Sequence, residues 1–366
     1  MSARNIRVVA SLLVSVLVGL VIARGGSGGG GSVATAGGGK VLIGLSLDTL
    51  KEARWQVDAR FFTERAKQLG AQVDVQSANG DDSQQMMQIH SMLTRGVKAL
   101  VIVPHDAVAM ARAVELAHQT GVPVIAYDRI IRNCDLDLYL SFDNVRVGEL
   151  QAKFLVDHLP KPAPGRPDRI VRIYGAPTDN NAKLFKQGQD QVLAPYLQRG
   201  DIVVVHEDWA EDWKPENAKK IVNAAIATGA KFDGILASND STAGGAIQAL
   251  LEAGGGLAGK VVVTGQDAEL PACQRIVAGT QAMTIYKPIR SLATAAAEAA
   301  VKLAEGKPII ARQSVNNGKI DVPAILCDVV VVTRDNMVDS VIKDGFQSYD
   351  EVYRGVPPDQ RPPRPK

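Results

Sequence analysis

Four uninterrupted apolar runs in this chain each end at a group of polar residues. The segments are 101–106, 124–129, 235–240 and 261–267, and each begins with at least three apolar residues. Runs without alternation are typical of strands in a parallel sheet that is buried on both faces. Ligands of such sheets bind beyond the carboxyl ends of the strands. Because the polar groups occur in both halves of the chain, the pattern predicts two similar lobes that share one polar ligand.

Helical patterns separate the apolar runs and give a β–α rhythm. In the first half, glycines at positions 70, 96 and 121 follow the predicted helices, where glycine relieves a left-handed backbone conformation. The rhythm restarts after a proline-rich segment at 160–167, with strands predicted at 169–174, 202–205, 233–237, 260–264 and 282–286 and helices at 180–198, 215–228, 241–253 and 290–304. A last apolar run, 324–332, is long enough to pass between lobes. The prediction is an α/β protein with two lobes joined by several crossing segments.

The N-terminal segment has the pattern of an export signal. Within residues 1–23, Arg4 and Arg7 precede 16 uncharged, mostly apolar residues. Cleavage after Ala23 or after Ala36 fits the small residues there. An uncleaved anchor is the alternative, because the run approaches the roughly 18–20 residues that span a bilayer. Export follows from either interpretation, and we expect a periplasmic or extracellular protein.

Two further segments have the composition of flexible chain. Residues 24–39 are a glycine-rich linker, and 354–366 are proline-rich and charged, which predicts a disordered tail. The linker matches G-x-G-x-x-G at 26–31, but no strand precedes it, so it lacks the context of a dinucleotide loop. No cysteine follows the apolar run, which argues against a lipid anchor.

The composition narrows the function further. A net charge of +2 over 366 residues argues against a nucleic-acid partner. Cys134, Cys273 and Cys327 form neither a disulfide framework nor a zinc pattern, and we expect buried thiols. The chain has no G-x-S-x-G nucleophile elbow, because the literal match at 25–29 lies in the glycine-rich linker with no strand before it, and it has no H-E-x-x-H, C-x-x-C or phosphate-loop motif. We therefore expect a binding site without a metal or cofactor, and no enzyme activity.

Two of the three tryptophans lie in polar surroundings beyond predicted strands, one in each half. Trp55 follows the first strand, and Trp213 follows the strand that ends near residue 205. An indole presents a flat apolar face and one N–H donor, which suits the C–H face of a sugar ring. The alternative is ordinary packing at helix N-termini. Trp209 has no corresponding partner in the other half.

Eight polar or charged residues near the predicted strand ends complete the candidate site. Sugar hydroxyls both donate and accept, so carboxylates and cationic or amide donors are needed around them. Asp128 and Arg129 have an alternative as an exposed ion pair. Asp179 and Asn239 lie in segments that could instead only cap the N-termini of helices. In the segment 239–241, we expect Asp240 or Ser241 to be the cap and Asn239 to face the ligand. The eight are Arg54, Asp128, Arg129, Asp179, Asn181, Asn239, Asp267 and Lys287.

Several motifs resemble those of the D-xylose-binding family of bacterial ABC transporters. They are 52–56, 75–80, 126–129, 141–144, 148–152, 179–185, 238–247, 265–267 and 286–289, and the resemblance covers about residues 40–350. It implies a type I, ribose-binding-type periplasmic binding protein with two Rossmann-like lobes and parallel sheets. It further implies that Trp55 and Trp213 sandwich a pyranose, while the eight polar residues bind its hydroxyls and ring oxygen.

The resemblance also implies three hinge crossings, which we expect near 143–146, 283–287 and 323–326. The first lobe would comprise 40–144 plus 286–324, and the second 145–285 plus 325–353. The implied protein is a monomer that captures a monosaccharide, with D-xylose favoured because its all-equatorial ring has flat faces and no exocyclic CH₂OH group. Glucose shares those flat faces.

The expected partner is a membrane ABC permease with a separate ATPase subunit. A sugar-sensing ectodomain that serves a chemotaxis or signalling receptor is the main alternative, since it would differ only in its protein partner. A sugar-responsive repressor would need an N-terminal helix-turn-helix. A nucleotide-dependent enzyme would need a glycine loop after the first strand, where Leu45-Ser46-Leu47-Asp48 stands instead.

Overall fold

The computed structural model describes residues 40–160 and 166–365. The predicted export signal and linker at 1–39, and positions 161–165 of the proline-rich segment, lie outside these residues. In the described ranges, no helix combines the length and apolarity needed to cross a bilayer.

The first part of the chain alternates strands and helices as its apolar pattern predicts. The elements are β1 (Leu42–Leu47), α1 (Ala53–Gln68), β2 (Gln72–Ser77), α2 (Asp82–Thr94), β3 (Ala99–Ile102), α3 (Ala111–Gln119), β4 (Val124–Tyr127) and β5 (Leu138–Phe142). Gly70, Gly96 and Gly121 have positive φ values of 84°, 82° and 70°. These values confirm that glycine is needed where each helix turns into the next strand.

The second part repeats the alternation and then returns to the first. The elements are α4 (Asn144–His158), β6 (Asp168–Tyr174), α5 (Asn180–Arg199), β7 (Ile202–Trp209), α6 (Pro215–Ala227), β8 (Gly234–Ala237), α7 (Asp240–Ala253), β9 (Val262–Val263), α8 (Leu270–Ala278), β10 (Thr284–Tyr286), α9 (Ile289–Ala304), β11 (Gln313–Asn316), β12 (Asp321–Cys327), β13 (Val330–Val332) and α10 (Tyr349–Val352). Short 3₁₀ turns occupy Glu211–Trp213 and Pro358–Gln360, and a π turn occupies Val338–Ile342.

Two separate sheets organise the two lobes. The first has the order β11-β12-β5-β4-β3-β1-β2 and is parallel except at β11. The second has the parallel order β7-β6-β8-β9. β10 pairs antiparallel with β13 and is joined to the β9 side by a hydrogen bond from Ile285 N to Gly265 O of 3.2 Å. The predicted two-lobed α/β fold with mainly parallel sheets is confirmed.

The chain crosses between the lobes three times. It leaves the first sheet after β5, returns between β10 and α9, and leaves again between β12 and β13. The third crossing differs from the expected position at 323–326, because the ladder with β5 continues to the pair Cys327–Phe142. Residues 325–327 therefore belong to the sheet of the first lobe, and the crossing lies at 328–329.

The C-terminal segment also differs from its prediction as a disordered tail. Within 354–365, Arg361 donates from Nε to the carbonyl of Val356 at 2.7 Å. The Tyr349 hydroxyl donates to the carbonyl of Pro362 at 2.5 Å, and Arg364 pairs with Asp350. These side-chain contacts hold the proline-rich chain against α10, which composition alone does not reveal.

Close approach of two helices fixes the part of the second lobe that carries the site. α4 and α5 meet at Gly148 and Gly188. A Cβ atom on Gly148 would stand 2.0 Å from the carbonyl oxygen of Phe185, and one on Gly188 would stand 2.0 Å from that of Val145. Only glycine permits this approach, so the N-terminus of α5 is held beside the first crossing.

Candidate functional site

The carboxyl ends of strands from both sheets surround one cavity between the lobes. All ten residues predicted for ligand binding line it: Arg54, Trp55, Asp128, Arg129, Asp179, Asn181, Trp213, Asn239, Asp267 and Lys287. Glu52, Phe185 and Gln266 complete the lining. The structure therefore brings the whole predicted set together, with members from each lobe.

Arg54 and Trp55 lie in the first turn of α1, immediately beyond β1. The buried Arg54 guanidinium donates from Nη2 to Oδ2 of Asp128 at 2.8 Å and from Nη1 to Oδ1 of Asp267 at 3.2 Å. Its central carbon lies 4.2 Å from the centroid of the Trp55 ring, which is a cation–π contact. Because Asp267 belongs to the second lobe, Arg54 joins the two lobes across the cavity.

A layer behind the cavity orients Arg54. Asp58 lies one helical turn further along α1, and it accepts from Arg54 Nε at 3.5 Å and from the Tyr127 hydroxyl. Burial raises the pKa of Asp58 to about 6, although the Arg54 charge and the Tyr127 hydrogen bond oppose the shift. Sequence analysis missed Asp58. Its spacing of four from Arg54 is a helical ion-pair signal, but that spacing alone is common.

Asp128 is the most connected carboxylate of the first lobe. It has a positive φ of 61°, and Asn181 donates from Nδ2 to both its backbone oxygen and Oδ1 at 3.1 Å. Lys287 lies 3.9 Å from both Asp128 and Asp267. Burial alone would raise the pKa of Asp128, but the charges of Arg54 and Lys287 lower it to about 2. This carboxylate is therefore an ionised acceptor at neutral pH.

A second chain of charges crosses the cavity through Arg129. His105 contacts Asp48 at 2.8 Å, and Asp48 accepts from Arg129 Nη1 at 2.6 Å. Arg129 Nε then lies 3.0 Å from Oδ2 of Asp179 in the other lobe. Desolvation lowers the pKa of the His105 imidazole, but its hydrogen bond with Asp48 is the larger influence and raises it. The alternative of an exposed Asp128–Arg129 ion pair is wrong, because both side chains are buried and bind other partners.

Trp213 lies in a 3₁₀ turn that needs unusual backbone angles. Asp212 and Trp213 have φ values of 53° and 57°. The indole Nε1 donates to Oδ2 of Asp179 at 3.2 Å, and the ring meets Phe185 edge-on at 6.3 Å between centroids. The opposite side of the ring system approaches Gly175, where a Cβ atom would stand 2.0 Å from Cη2. These contacts hold the indole at the cavity in one orientation.

Two helix N-termini contribute capping residues to the lining. Asp179 caps α5 by accepting from Asn181 N at 2.8 Å, so its capping and cavity roles coexist. Asn239 caps α7 by accepting from Thr242 N at 2.9 Å. The expectation that Asp240 or Ser241 would cap is wrong. Asp240 instead points into the lobe, where it accepts from Gln281 at 2.7 Å and Thr284 at 2.9 Å.

Three lining residues were missed by sequence analysis. Phe185 follows the 179–181 segment by one helical turn, a spacing that would have placed it beside the cavity. Gln266 adjoins Asp267 and Glu52 lies two residues before Arg54, but neither stood out by type. Their side chains also differ from the rest, because Oε2 of Glu52 and Oε1 of Gln266 are buried without a hydrogen-bond partner among the described residues.

The chemistry of the cavity is that of a polar binding site with aromatic walls. Carboxylates, guanidinium groups, an ammonium group and amides supply acceptors and donors, while two indoles and a phenyl ring supply apolar faces. In the described ranges, no group of three or more His, Cys, Asp or Glu side chains has a metal-binding arrangement. Cys134 and Cys273 are buried and Cys327 is half-buried, and all three are thiols.

Comparison with known proteins gives consistent matches over most of the chain. The profile of the family described as "Periplasmic binding protein domain" matches residues 43–308. The D-xylose-binding periplasmic protein of Escherichia coli is 49% identical over 314 residues, which cover 86% of this chain and 93% of that protein. The protein of the same name from Haemophilus influenzae is 47% identical, with coverage of 85% and 92%.

A solved structure extends the likeness to the fold. The carbohydrate transporter solute-binding protein of Chloroflexus aurantiacus, in complex with D-glucose, has a TM-score of 0.78 and 35% sequence identity. The match covers 86% of this chain and 98% of that protein. The two-lobed architecture described above is thus the one that this solute-binding protein adopts.

Proposed function

Because this chain belongs to the periplasmic binding protein domain family, we propose that it is the sugar-binding component of an ABC importer. It captures a monosaccharide, D-xylose in the first instance, between its lobes outside the cytoplasmic membrane and delivers it to a permease. ATP hydrolysis belongs to a separate subunit, and this chain binds without turning over its ligand. The D-xylose-binding proteins at 49% and 47% identity support this choice of sugar.

The observation that carries the proposal is the mixed lining of the cavity. Trp55 comes from the first lobe and Trp213 from the second, and ion pairs such as Arg54–Asp267 and Arg129–Asp179 span the space between the lobes. A neutral ring with flat C–H faces and equatorial hydroxyls matches both the indoles and the polar groups. A ligand that contacts both lobes stabilises the closed arrangement, because only there does it gain both sets of contacts.

The proposal is tested by calorimetry of the purified protein with D-xylose, D-ribose, L-arabinose, D-glucose and D-galactose. We expect D-xylose to bind most tightly, with a dissociation constant near micromolar, which corresponds to about −8 kcal/mol. If D-glucose bound more tightly than D-xylose, the proposed ligand would be a hexose and not D-xylose. Absence of binding to every sugar in the panel would refute it.

A sugar-sensing role would use the same cavity and differ in the protein partner. Affinity capture from membranes of the source bacterium, with and without the bound sugar, separates the two roles. Sugar-dependent capture of an ABC permease supports import, whereas capture of a receptor in its place supports sensing.

A further inference from the structure

We propose that Glu52 and Gln266 are two further sugar-binding residues, one from each lobe, which accept hydrogen bonds from sugar hydroxyls. The inference rests on the proposed sugar-binding function and assigns two contacts beyond the ten predicted ones. Both residues line the cavity that contains the two indoles.

Gln266 has a fixed backbone position, and among the described residues its side chain has no hydrogen-bond partner. It is 2% exposed and follows β9, and its backbone carbonyl accepts from Asp240 N at 2.9 Å. Oε1 of the side chain is buried without a partner among the described residues. Buried polar atoms are nearly always paired, and an unpaired one costs free energy. A ligand hydroxyl in the adjoining cavity is the donor that this amide lacks.

Glu52 presents the matching feature from the first lobe. It immediately precedes α1, and its backbone carbonyl accepts from Trp55 N at 3.1 Å. This hydrogen bond fixes the backbone of Glu52 relative to that of Trp55. Its carboxylate makes no ion pair within the described ranges, and Oε2 is buried without a partner. Burial raises the pKa of Glu52, but a carboxyl oxygen accepts hydrogen bonds in either protonation state, and a sugar hydroxyl in the cavity is the donor that Oε2 lacks.

The contrast with the other polar residues of the cavity strengthens the assignment. Asp267 already accepts from Arg54, and Asp179 and Asp128 accept from Arg129 and Asn181. A hydroxyl that binds one of these groups adds to donors already present, whereas one that binds Glu52 or Gln266 supplies a missing partner. Seven buried side-chain atoms lack partners in the described part of the chain, and of these only the two on Glu52 and Gln266 belong to the cavity lining.

The test compares D-xylose with its monodeoxy derivatives in wild type, Glu52→Met and Gln266→Met. Methionine keeps the length of each side chain and removes its hydrogen-bonding groups. We expect each variant to bind D-xylose roughly 5- to 20-fold more weakly. We also expect each to lose the preference for D-xylose over one particular deoxy sugar, the one that lacks the hydroxyl bound by that residue.

Two controls isolate the acceptor role. Glu52→Gln keeps an acceptor oxygen and should stay within about threefold of wild type. Gln248→Met makes the same change on the exposed face of α7, outside the cavity lining, and should leave affinity unchanged. If a methionine variant fails to fold, the corresponding alanine variant repeats the comparison without added bulk.

The outcomes separate this inference from the proposed function. Unchanged affinity, or an equal loss for D-xylose and every deoxy sugar, would overturn the inference while the sugar-binding function stands. If wild-type protein binds another monosaccharide more tightly than D-xylose, the variants are compared on that sugar and its monodeoxy derivatives, with the same expected losses. Wild-type protein that binds no monosaccharide would refute both.

Discussion

Gly175 lies against the Trp213 indole so closely that a Cβ atom on Gly175 would stand 2.0 Å from Cη2 of the ring. The glycine follows β6, and the indole reaches it from the 3₁₀ turn that follows β7. Neighbouring strands of the second sheet therefore set the position of the aromatic wall. The indole can occupy this position only because residue 175 is a glycine and has no Cβ atom.

Gly175→Ala should displace the Trp213 ring and weaken sugar binding by tenfold or more. The added methyl group cannot share the space of the indole, so the ring must move away from its contact with Asp179. Titration calorimetry measures the change in affinity. Gly355→Ala is the matched control, because nothing lies within 4 Å of a Cβ atom there. Equal affinities in both variants would contradict the role given to Gly175.

Trp213→Ala should weaken sugar binding by 10- to 100-fold while the protein stays folded. Truncating an aromatic residue in a buried binding site costs roughly 2 kcal/mol or more of binding free energy. Trp209→Ala serves as the control, since Trp209 packs beside Tyr174 at 5.0 Å between ring centroids and is not part of the cavity lining. Affinity is measured by calorimetry and folding by circular dichroism. A Trp213→Ala variant with wild-type affinity would exclude stacking on this ring.

Asp58 should make stability depend on pH. Its pKa is raised from 3.8 to about 6 in the folded protein, chiefly by burial. The folded state therefore holds this proton more tightly, so the contribution is full below about pH 4 and is lost as the pH rises through 6.

Asp58→Asn removes the titrating group and isolates this effect. The unfolding free energy of wild type minus that of the variant should fall by about 2–3 kcal/mol between pH 4 and pH 7. Urea unfolding at several pH values gives the difference. A constant difference over this range would mean that Asp58 stays ionised beside Arg54.

Gly148→Ala should destabilise the protein by about 2–3 kcal/mol. The new methyl group would overlap the carbonyl oxygen of Phe185, and a closely packed helix pair separates only at a cost in packing. Gly244→Ala is the control and should cost little stability. Its Cβ atom would meet only the flexible end of the Arg275 side chain, at 3.2 Å, and alanine is more favourable than glycine in a helix by up to about 1 kcal/mol. Chemical denaturation of both variants checks the prediction, which fails if they are equally stable.

The sequence predicted the parts of this structure that depend on local pattern. Apolar runs followed by polar residues located the strands and their carboxyl ends, and glycines after helices marked the connections. Because parallel strands end at a common edge, residues as distant as Arg54 and Lys287 were predicted to share one site. Their presence in a single cavity follows from this rule and from the motifs they share with a known family.

Features that depend on contacts between distant segments were not predicted. No local signal pairs Gly175 with Trp213 or Gly148 with Phe185, since each contact depends on how elements pack. The same reason hid the Asp58–Tyr127 hydrogen bond. The position of the third crossing depends on the ladder between β12 and β5, which an apolar run cannot delimit.

β12 is synthesised long after β5, its neighbour in the first sheet, and this order affects how the protein folds. β12 lies between β5 and β11 in the first sheet, although nearly the whole second lobe precedes it in the chain. During synthesis, the edge of β5 has no neighbouring β12 strand until residue 327 has been made. A nascent chain that stops before β12 therefore has an unfinished first sheet, and the edge of β5 stays accessible to other proteins, such as a chaperone, until β12 pairs with it.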